Sequence, residues 1–245
     1  MRSKAQHIGQ LGLKSLLSAF LQKGCPVCAR PSAQTFCIDC QRQIEAEFHP
    51  SGDWHLQRDG KANRTDRCHS SVPVHALGHY QGTLKQAIRA LKYSNRPAVA
   101  QVLGKALAER WLTLSSNPSI PLQVIPIPLH PNRLKQRGYN QAALIASAFC
   151  QVSRLPLHAH GLYRQHDTVP QHQLGLDARQ QNVAEAFTVS AALQRRRRHV
   201  KAAPNTLLID DIYTTGATAQ SAAIALEKEG FPVVGMLALA QAVSD

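Results

Sequence analysis

The segment between residues 206 and 239 constrains the fold more strongly than any other part of this chain. Residues 206–212 are mostly apolar and predict a strand, residues 217–229 predict a helix ended by Gly230, and residues 233–239 predict another strand. A strand, a helix and a strand joined by short links form a parallel unit. The sequence therefore predicts an α/β fold with a mostly parallel sheet flanked by helices.

The first of these strands ends in a pattern that suits a sugar phosphate. Asp210 and Asp211 close the strand, and a short run of small residues leads into the helix: Thr214, Thr215, Gly216, Ala217 and Thr218. Ligands of open α/β sheets bind at this edge, where backbone N–H groups and the helix dipole favour a phosphate. The two carboxylates suit sugar hydroxyls or a bound cation. The pattern predicts a ribose 5-phosphate site, and the alternative is a turn that only caps the helix.

Four cysteines near the N-terminus have the spacing of a metal site. Cys25 and Cys28 form one C-x2-C pair, and Cys37 and Cys40 form a second pair eight residues later. Two such turns can supply four thiolates to one structural Zn²⁺, which leaves no open position for catalysis. The alternative is a redox pair or plain buried cysteines. Cys68, His69 and Cys150 are interpreted as structural.

Residues 207–218 closely resemble the phosphoribosyl pyrophosphate (PRPP) motif of type I phosphoribosyltransferases. The resemblance implies that Asp210 and Asp211 bind the ribose hydroxyls of PRPP. It also implies that residues 214–218 surround the 5-phosphate and that Mg²⁺ accompanies PRPP.

A four-cysteine knuckle ahead of this motif resembles the ComF family of competence-associated, phosphoribosyltransferase-like proteins. Further segments match in the family's order over roughly residues 11–240: Tyr80 with Leu91-Lys92-Tyr93; residues 125–129 with Arg133 and residues 137–141; then Arg164, Thr168, Gln171, Leu174, Arg179, Asn182 and Phe187. Where many relatives carry further cysteine pairs, residues 50–70 contain only Cys68. The run Arg195–Arg198 looks like an addition to the family pattern.

The basic residues after the strand predicted at residues 122–129 are candidates for the pyrophosphate. In a phosphoribosyltransferase-like sheet this turn borders the PRPP site, and pyrophosphate needs cations and N–H groups. Arg137 and Gly138 are the first choice and Arg133 is the second, with a solvated surface turn as the alternative. Lys92, at the end of a predicted helix, either contacts this ligand or offsets the helix dipole.

The polar segment from Leu162 to Phe187 corresponds to the mobile loop that closes over PRPP in the enzyme family. Its candidate contacts to PRPP or to a nucleic-acid strand are Arg164, Gln171 and Arg179.

The net charge of +13 is concentrated in the middle of the chain. Residues 1–79 contribute +4, residues 80–203 contribute +13 and residues 204–245 contribute −4. The excess favours a polyanionic ligand, although a merely solubilising surface also accounts for it. Arg195–Arg198 are expected in an exposed basic loop that binds phosphate backbones or is simply solvated, and aromatic residues for stacking bases are only 5% of the chain.

The predicted organisation is an N-terminal helix and zinc knuckle (residues 1–49), a linker (50–72) and a phosphoribosyltransferase-like domain (73–245). No run of 18 apolar residues and no signal-peptide pattern is found. We therefore expect a cytoplasmic protein with reduced cysteines.

Three functions fit these patterns. The ComF resemblance implies a PRPP-binding protein that handles incoming single-stranded DNA in natural transformation, beside helicase-like or recombination proteins. The second function is an active phosphoribosyltransferase that transfers phosphoribose to a nitrogen nucleophile. The third is a module that senses PRPP without turnover.

Overall fold

The computed structural model describes residues 24–49, 72–114, 121–165, 186–200 and 202–242. Several sequence predictions lie outside these ranges. They are the helix at residues 11–23, nearly all of the linker, and the roles of Cys68, Gln171 and Arg179.

The described residues form an alternating series of strands and helices. The helices are α1 (Ile38–Ala46), α2 (Gly82–Tyr93), α3 (Ala98–Leu114), α4 (Pro131–Arg137), α5 (Gln141–Ser153), α6 (Ala191–Arg198) and α7 (Ala217–Lys228). The strands are β1 (Val74–His79), β2 (Leu122–Pro126), β3 (Leu162–Arg164), β4 (Phe187–Val189), β5 (Asn205–Tyr213) and β6 (Val233–Gln241).

The main sheet confirms the predicted fold class. Strands β1, β6, β5 and β2 lie side by side in that order, and each neighbouring pair is parallel. Helices cover both faces, so the middle of β5 is a continuous buried run rather than an alternating one. On one face Leu207 and Ile209 pack in a core shared with α2, α3 and α5, and on the other Leu208 packs with α7 and β4.

The segment that carries the four cysteines packs on the sheet. Phe36, Cys40 and Ile44 are buried in the same apolar cluster as Leu84 of α2. At the open edge of β1, residues 48 and 78 form an antiparallel bridge. The boundaries predicted at residues 49 and 73 remain a prediction.

Two segments expected to be loops are helical. The arginine run belongs to α6, because the Ser190 hydroxyl accepts the Leu193 N–H at 3.2 Å and Leu193 is buried under the helix. Arginine also favours a helix intrinsically. The basic turn after β2 contains α4, which begins with Pro131 at its first position and is capped by His130.

Strands β3 and β4 form an antiparallel ribbon that packs against α7. Within the ranges that the structure describes, no helix is long and apolar enough to cross a membrane.

Candidate functional site

The acid pair closes a central strand of the sheet and points to both faces. Successive side chains of a strand alternate, so Asp211 follows Ile209 towards α2, and Asp210 follows Leu208 towards the β3–β4 ribbon. The Asp211 backbone N–H donates to Oδ1 of Asp210 at 2.7 Å. The pair therefore brings carboxylate oxygens to the carboxyl edge of the sheet from two directions.

Lys92 lies at the site, although it is distant in the sequence. Its Nζ is 2.8 Å from Oδ1 of Asp211, and the two side chains are only 15% and 11% exposed. Lys92 belongs to the last turn of α2. The Lys92 side chain thus does more than offset the helix dipole, because it forms a nearly buried ion pair with Asp211, one of the two residues predicted to bind ribose.

The surroundings of Asp210 disfavour the ionised form of its carboxyl group. Burial, together with the neighbouring Asp211 carboxylate, raises the pKa of Asp210 well above its usual range, and the charges of Lys92 and Arg164 offset this only in part. Arg164 lies at the end of β3 with its guanidinium 5.6 Å from the centre of the Phe187 ring. The structure therefore brings Arg164, predicted for the mobile loop, into electrostatic reach of the acid pair.

The loop after β5 has the geometry of an anion cradle. Gly216 has φ +82°, and a Cβ at this position would lie 2.6 Å from the Tyr213 hydroxyl. Glycine is therefore required on both conformational and steric grounds. Gly216 is also the N-cap of α7, and no side chain of the described residues caps that helix. The first N–H groups of α7, at Ala217 and Thr218, thus remain available to a ligand, and Thr214 and Thr215 beside them are exposed.

The segment predicted to bind pyrophosphate instead makes mostly internal contacts. Arg137 donates to Oε1 of Gln141 at 2.7 Å and lies 5.5 Å from the centre of the Tyr93 ring. The Tyr139 hydroxyl donates to the Leu91 carbonyl at 2.5 Å. Through these contacts the turn packs against the end of α2 that carries Lys92.

The neighbouring positions of the same turn shape its backbone. Asn140 donates to the Ile127 carbonyl at 3.0 Å, and its Oδ1 accepts the Ala142 N–H to cap α5. Gly138 has φ +80° and ends α4, with open space where a Cβ would point. The contacts of Tyr139 and Arg137 with α2 depend on packing between segments that are distant in the sequence. Arg133 is exposed on α4.

The four predicted cysteine ligands meet in space. The Sγ atoms of Cys25, Cys28, Cys37 and Cys40 all lie within 4.8 Å of one another, and those of Cys28 and Cys37 are 3.6 Å apart. Zn–S bonds of about 2.3 Å place tetrahedral sulfurs about 3.8 Å apart, so the cluster fits one zinc ion. The cluster is a candidate structural metal centre.

Arg30 supplies positive charge to this cluster. Its guanidinium donates to Sγ of Cys28 at 3.3 Å and pairs with Asp39 at 2.8 Å. The hydrogen bond from Arg30 lowers the pKa of the Cys28 thiol to about 6. The thiolate is the form that binds metal, so Arg30 favours the ligating state.

Glu47 connects the cysteine segment to the helix that carries Lys92. Its Oε1 accepts the Thr83 N–H and its Oε2 accepts the Leu84 N–H, both at 2.8 Å. Glu47 therefore caps α2 from another element, and a Cβ on Gly82 would collide with the Glu47 carboxylate. No sequence pattern near α2 indicates this cap, because the residue lies 36 positions before Thr83.

A parallel sheet flanked by helices, with an acid pair and a glycine loop at its carboxyl edge, is the α/β architecture that the resemblance to phosphoribosyltransferases implies. Two solved structures are similar over part of the chain. One is titled an allosteric regulatory enzyme of purine biosynthesis (TM-score 0.40, 17% identity, covering 62% of this chain and 30% of that one). The other is an adenine phosphoribosyltransferase from Leishmania tarentolae (TM-score 0.36, 18% identity, covering 59% and 58%). No protein-family model matches the chain.

Curated relatives match over most of the chain. Competence protein F of Haemophilus influenzae is 27% identical over 212 residues, which cover 84% of this chain and 90% of the relative. Competence protein ComFC of Bacillus subtilis is 26% identical and covers 84% and 72%. DNA utilization protein YhgH of Escherichia coli K12 is 24% identical and covers 86% of both chains. Over most of its length the chain is therefore similar to competence proteins of the ComF family, the resemblance that its motifs carry.

Proposed function

We propose that this protein binds PRPP at the carboxyl edge of its sheet and handles single-stranded DNA during natural transformation in the cytoplasm. The observation that carries the PRPP assignment is the combination of the acid pair with the uncapped, glycine-led start of α7. The names of the relatives, two competence proteins and a DNA utilization protein, support the DNA-related role. Helicase-like or recombination proteins are the partners expected of such a role.

The proposed ligand contacts follow the elements of the site. The 5-phosphate would lie on the N–H groups and hydroxyls of Thr214, Thr215, Gly216, Ala217 and Thr218. The ribose hydroxyls would hydrogen-bond to Asp210 and Asp211. Mg²⁺ would bind together with PRPP and neutralise part of the pyrophosphate charge. Phosphate oxygens are the kind of ligand that Mg²⁺ prefers.

The pyrophosphate contacts need a modified assignment. Lys92 is the best-placed cation, because its ammonium already lies beside Asp211. Arg137 and Gly138 are assigned to hold the turn in place, and Arg133 is an exposed cation on α4. Arg164, at the end of β3, would meet the ligand from the other face of the sheet.

Calorimetric titration with Mg-PRPP tests the proposal. The double variant Asp210→Asn and Asp211→Asn should lose binding at least a hundredfold, because Asp211 loses its charge and both side chains lose a carboxyl oxygen that the ribose contacts need. The matched control is Glu227→Gln with Glu229→Gln, which removes two exposed carboxylates from the far end of α7 and should leave binding unchanged. Equal affinity in the Asp double variant and the wild type would contradict the site. Measuring pyrophosphate release in the same samples, with candidate bases and amines, distinguishes a transferase from a binding protein.

A further inference from the structure

Helix α6 has one side that packs against the protein and an opposite side that carries exposed arginines. Leu193 is buried beneath the helix, and Arg197, four residues later, donates to the Gly230 carbonyl at 3.2 Å and to the Val200 carbonyl at 3.2 Å. Positions i and i+4 share a helix face, so this side is the anchored one. Arg195, Arg198 and His199 occupy the opposite side and are exposed.

This cationic face lies at the opposite edge of the sheet from the acid pair. Helix α7 starts at the carboxyl edge beside Gly216 and ends at Lys228, two residues before Gly230, whose carbonyl accepts from Arg197. After α6 the chain enters β5 within a few residues, at Asn205, which is the amino end of the strand whose far end carries Asp210 and Asp211. The arginines therefore lie near the amino edge, and the stretch of β5 from Asn205 to Asp211 spans about 20 Å.

Among the described residues, no carboxylate forms an ion pair with the arginines of the α6 face. Glu227 and Glu229 lie close to Gly230 in the chain, yet in the described part of the protein neither forms an ion pair with the arginine run. Arg196, on the flank of the helix, lies near His158, and burial together with the Arg196 charge lowers the pKa of His158. The patch formed by Arg195, Arg196, Arg198 and His199 is thus a concentrated site of like charge.

We propose that this patch binds the phosphate backbone of single-stranded nucleic acid, at the sheet edge opposite the proposed PRPP site. The proposal deepens the proposed function and rests on its DNA-handling part. Guanidinium groups match phosphate oxygens in a bidentate way, and backbone contacts of this kind need no base sequence. A membrane surface fits less well, because Leu193 of α6 is buried and, in the described residues around the arginine run, Val200 is the single large apolar side chain that is exposed. Occupation of the patch and binding of PRPP are independent, since the two sites use different residues.

The test uses the full-length protein and a fluorescent oligothymidylate. The variant Arg195→Ala with Arg198→Ala removes two charges from the outward face and leaves the Arg197 anchor intact. Binding should weaken roughly tenfold at moderate salt, and the slope of log affinity against log salt should fall by about 1.4 for two lost phosphate contacts. The control Arg89→Ala with Lys105→Ala removes two exposed charges elsewhere and should change neither quantity. The charge-retaining variant Arg195→Lys with Arg198→Lys should keep most of the affinity, which separates loss of charge from damage to the helix.

Each outcome supports or overturns the proposal. Unchanged affinity and salt slope in the Arg195→Ala, Arg198→Ala variant overturn it, as does a wild-type protein that does not bind the oligonucleotide. Loss of binding to anionic phosphatidylserine vesicles with DNA binding intact would assign the patch to a membrane instead. Titration with Mg-PRPP should give the wild-type affinity in this variant. If the wild type binds DNA through α6 but not PRPP, the proposed function fails at the PRPP site while the present inference stands.

Discussion

The ammonium of Lys92 and the carboxylate of Asp211 form a 2.8 Å ion pair between the end of α2 and the end of β5. The pair is nearly buried, so each charge depends on the other for solvation. It also places a cation where the proposed ligand would carry its pyrophosphate. One contact thus links the stability of the fold to the proposed binding of an anion at this site.

Removing one partner of this pair should destabilise the protein. Lys92→Met leaves the Asp211 charge poorly solvated and should lower the free energy of unfolding by about 2–3 kcal/mol. Adding Asp211→Asn to the same chain should recover most of that loss, because neither side chain of the pair then carries a buried charge. Urea denaturation of the single and double variants measures the cycle.

The exposed pair of Lys105 and Glu109 provides the control for this cycle. Its atoms are 3.7 Å apart and the side chains are 64% and 58% exposed. Lys105→Met should therefore have almost no effect on stability. Equal effects of the two methionine substitutions would show that Lys92 and Asp211 are screened by solvent in the same way as the surface pair.

The raised pKa of Asp210 predicts a stability cost at neutral pH. In the folded protein the pKa of Asp210 is raised to about 8 from 3.8. Between these two pH values the folded protein therefore retains a proton that the unfolded chain has lost. Stability is therefore highest below ~pH 4 for this group and declines as the pH rises towards 8. Asp210→Asn keeps an oxygen that accepts the Asp211 N–H and removes the decline. Relative to the wild type, the variant should gain stability steadily as the pH rises from 4.5 to 8, in thermal melts across this range.

Gly216 should tolerate alanine less well than another glycine of the same conformation. At Gly216 a Cβ meets the Tyr213 hydroxyl at 2.6 Å, in addition to the strain of φ +82°. Gly230, at the other end of α7, has φ +78°, but there the Cβ meets only the movable end of Arg197 at 3.0 Å. Gly230→Ala should cost about 1 kcal/mol from the backbone, and Gly216→Ala should cost more and abolish PRPP binding. Thermal melts and calorimetry of the two variants make the comparison, and preserved PRPP affinity in Gly216→Ala would contradict the proposed phosphate loop.

The local patterns of the sequence predicted the fold and most members of the candidate site. Strand β5, its acid pair, the glycine loop and the two cysteine pairs are each specified within a few residues, by apolar runs and by spacing. The partners of these residues are set by packing over long sequence distances. Lys92 meets Asp211, Tyr139 meets Leu91 and Glu47 meets Thr83 only after the helices have docked on the sheet. The prediction that the arginine run is a loop was wrong. One buried residue, Leu193, and one cap, Ser190, are enough to stabilise a short helix there.

The four-cysteine cluster should bind one zinc ion per chain. Cys37→Ser should release the metal, because three thiolates and a hydroxyl form a much weaker site. The control is Cys150→Ser, since Cys150 lies on α5, where burial raises the pKa of its thiol to about 12. Metal content measured by mass spectrometry should fall only in the Cys37 variant. Its melting temperature should fall as well, because Cys25 and Cys40 share the core with α2. A Cys37 variant that retains a full equivalent of zinc would exclude this cluster as the binding site.

Glu47 should stabilise α2 from outside the helix. The two carboxylate oxygens accept the N–H groups of Thr83 and Leu84, where helix α2 has no cap of its own from Gln81. Glu47→Ala leaves both donors without a partner and should cost about 1–2 kcal/mol in urea denaturation. Glu47→Gln keeps one acceptor oxygen and should lose about half as much. The control is Glu45→Ala, which removes an exposed carboxylate of α1 whose nearest contact is Gln41. If Glu45→Ala and Glu47→Ala destabilise equally, the effect comes from α1 itself, and Glu47 does not cap α2.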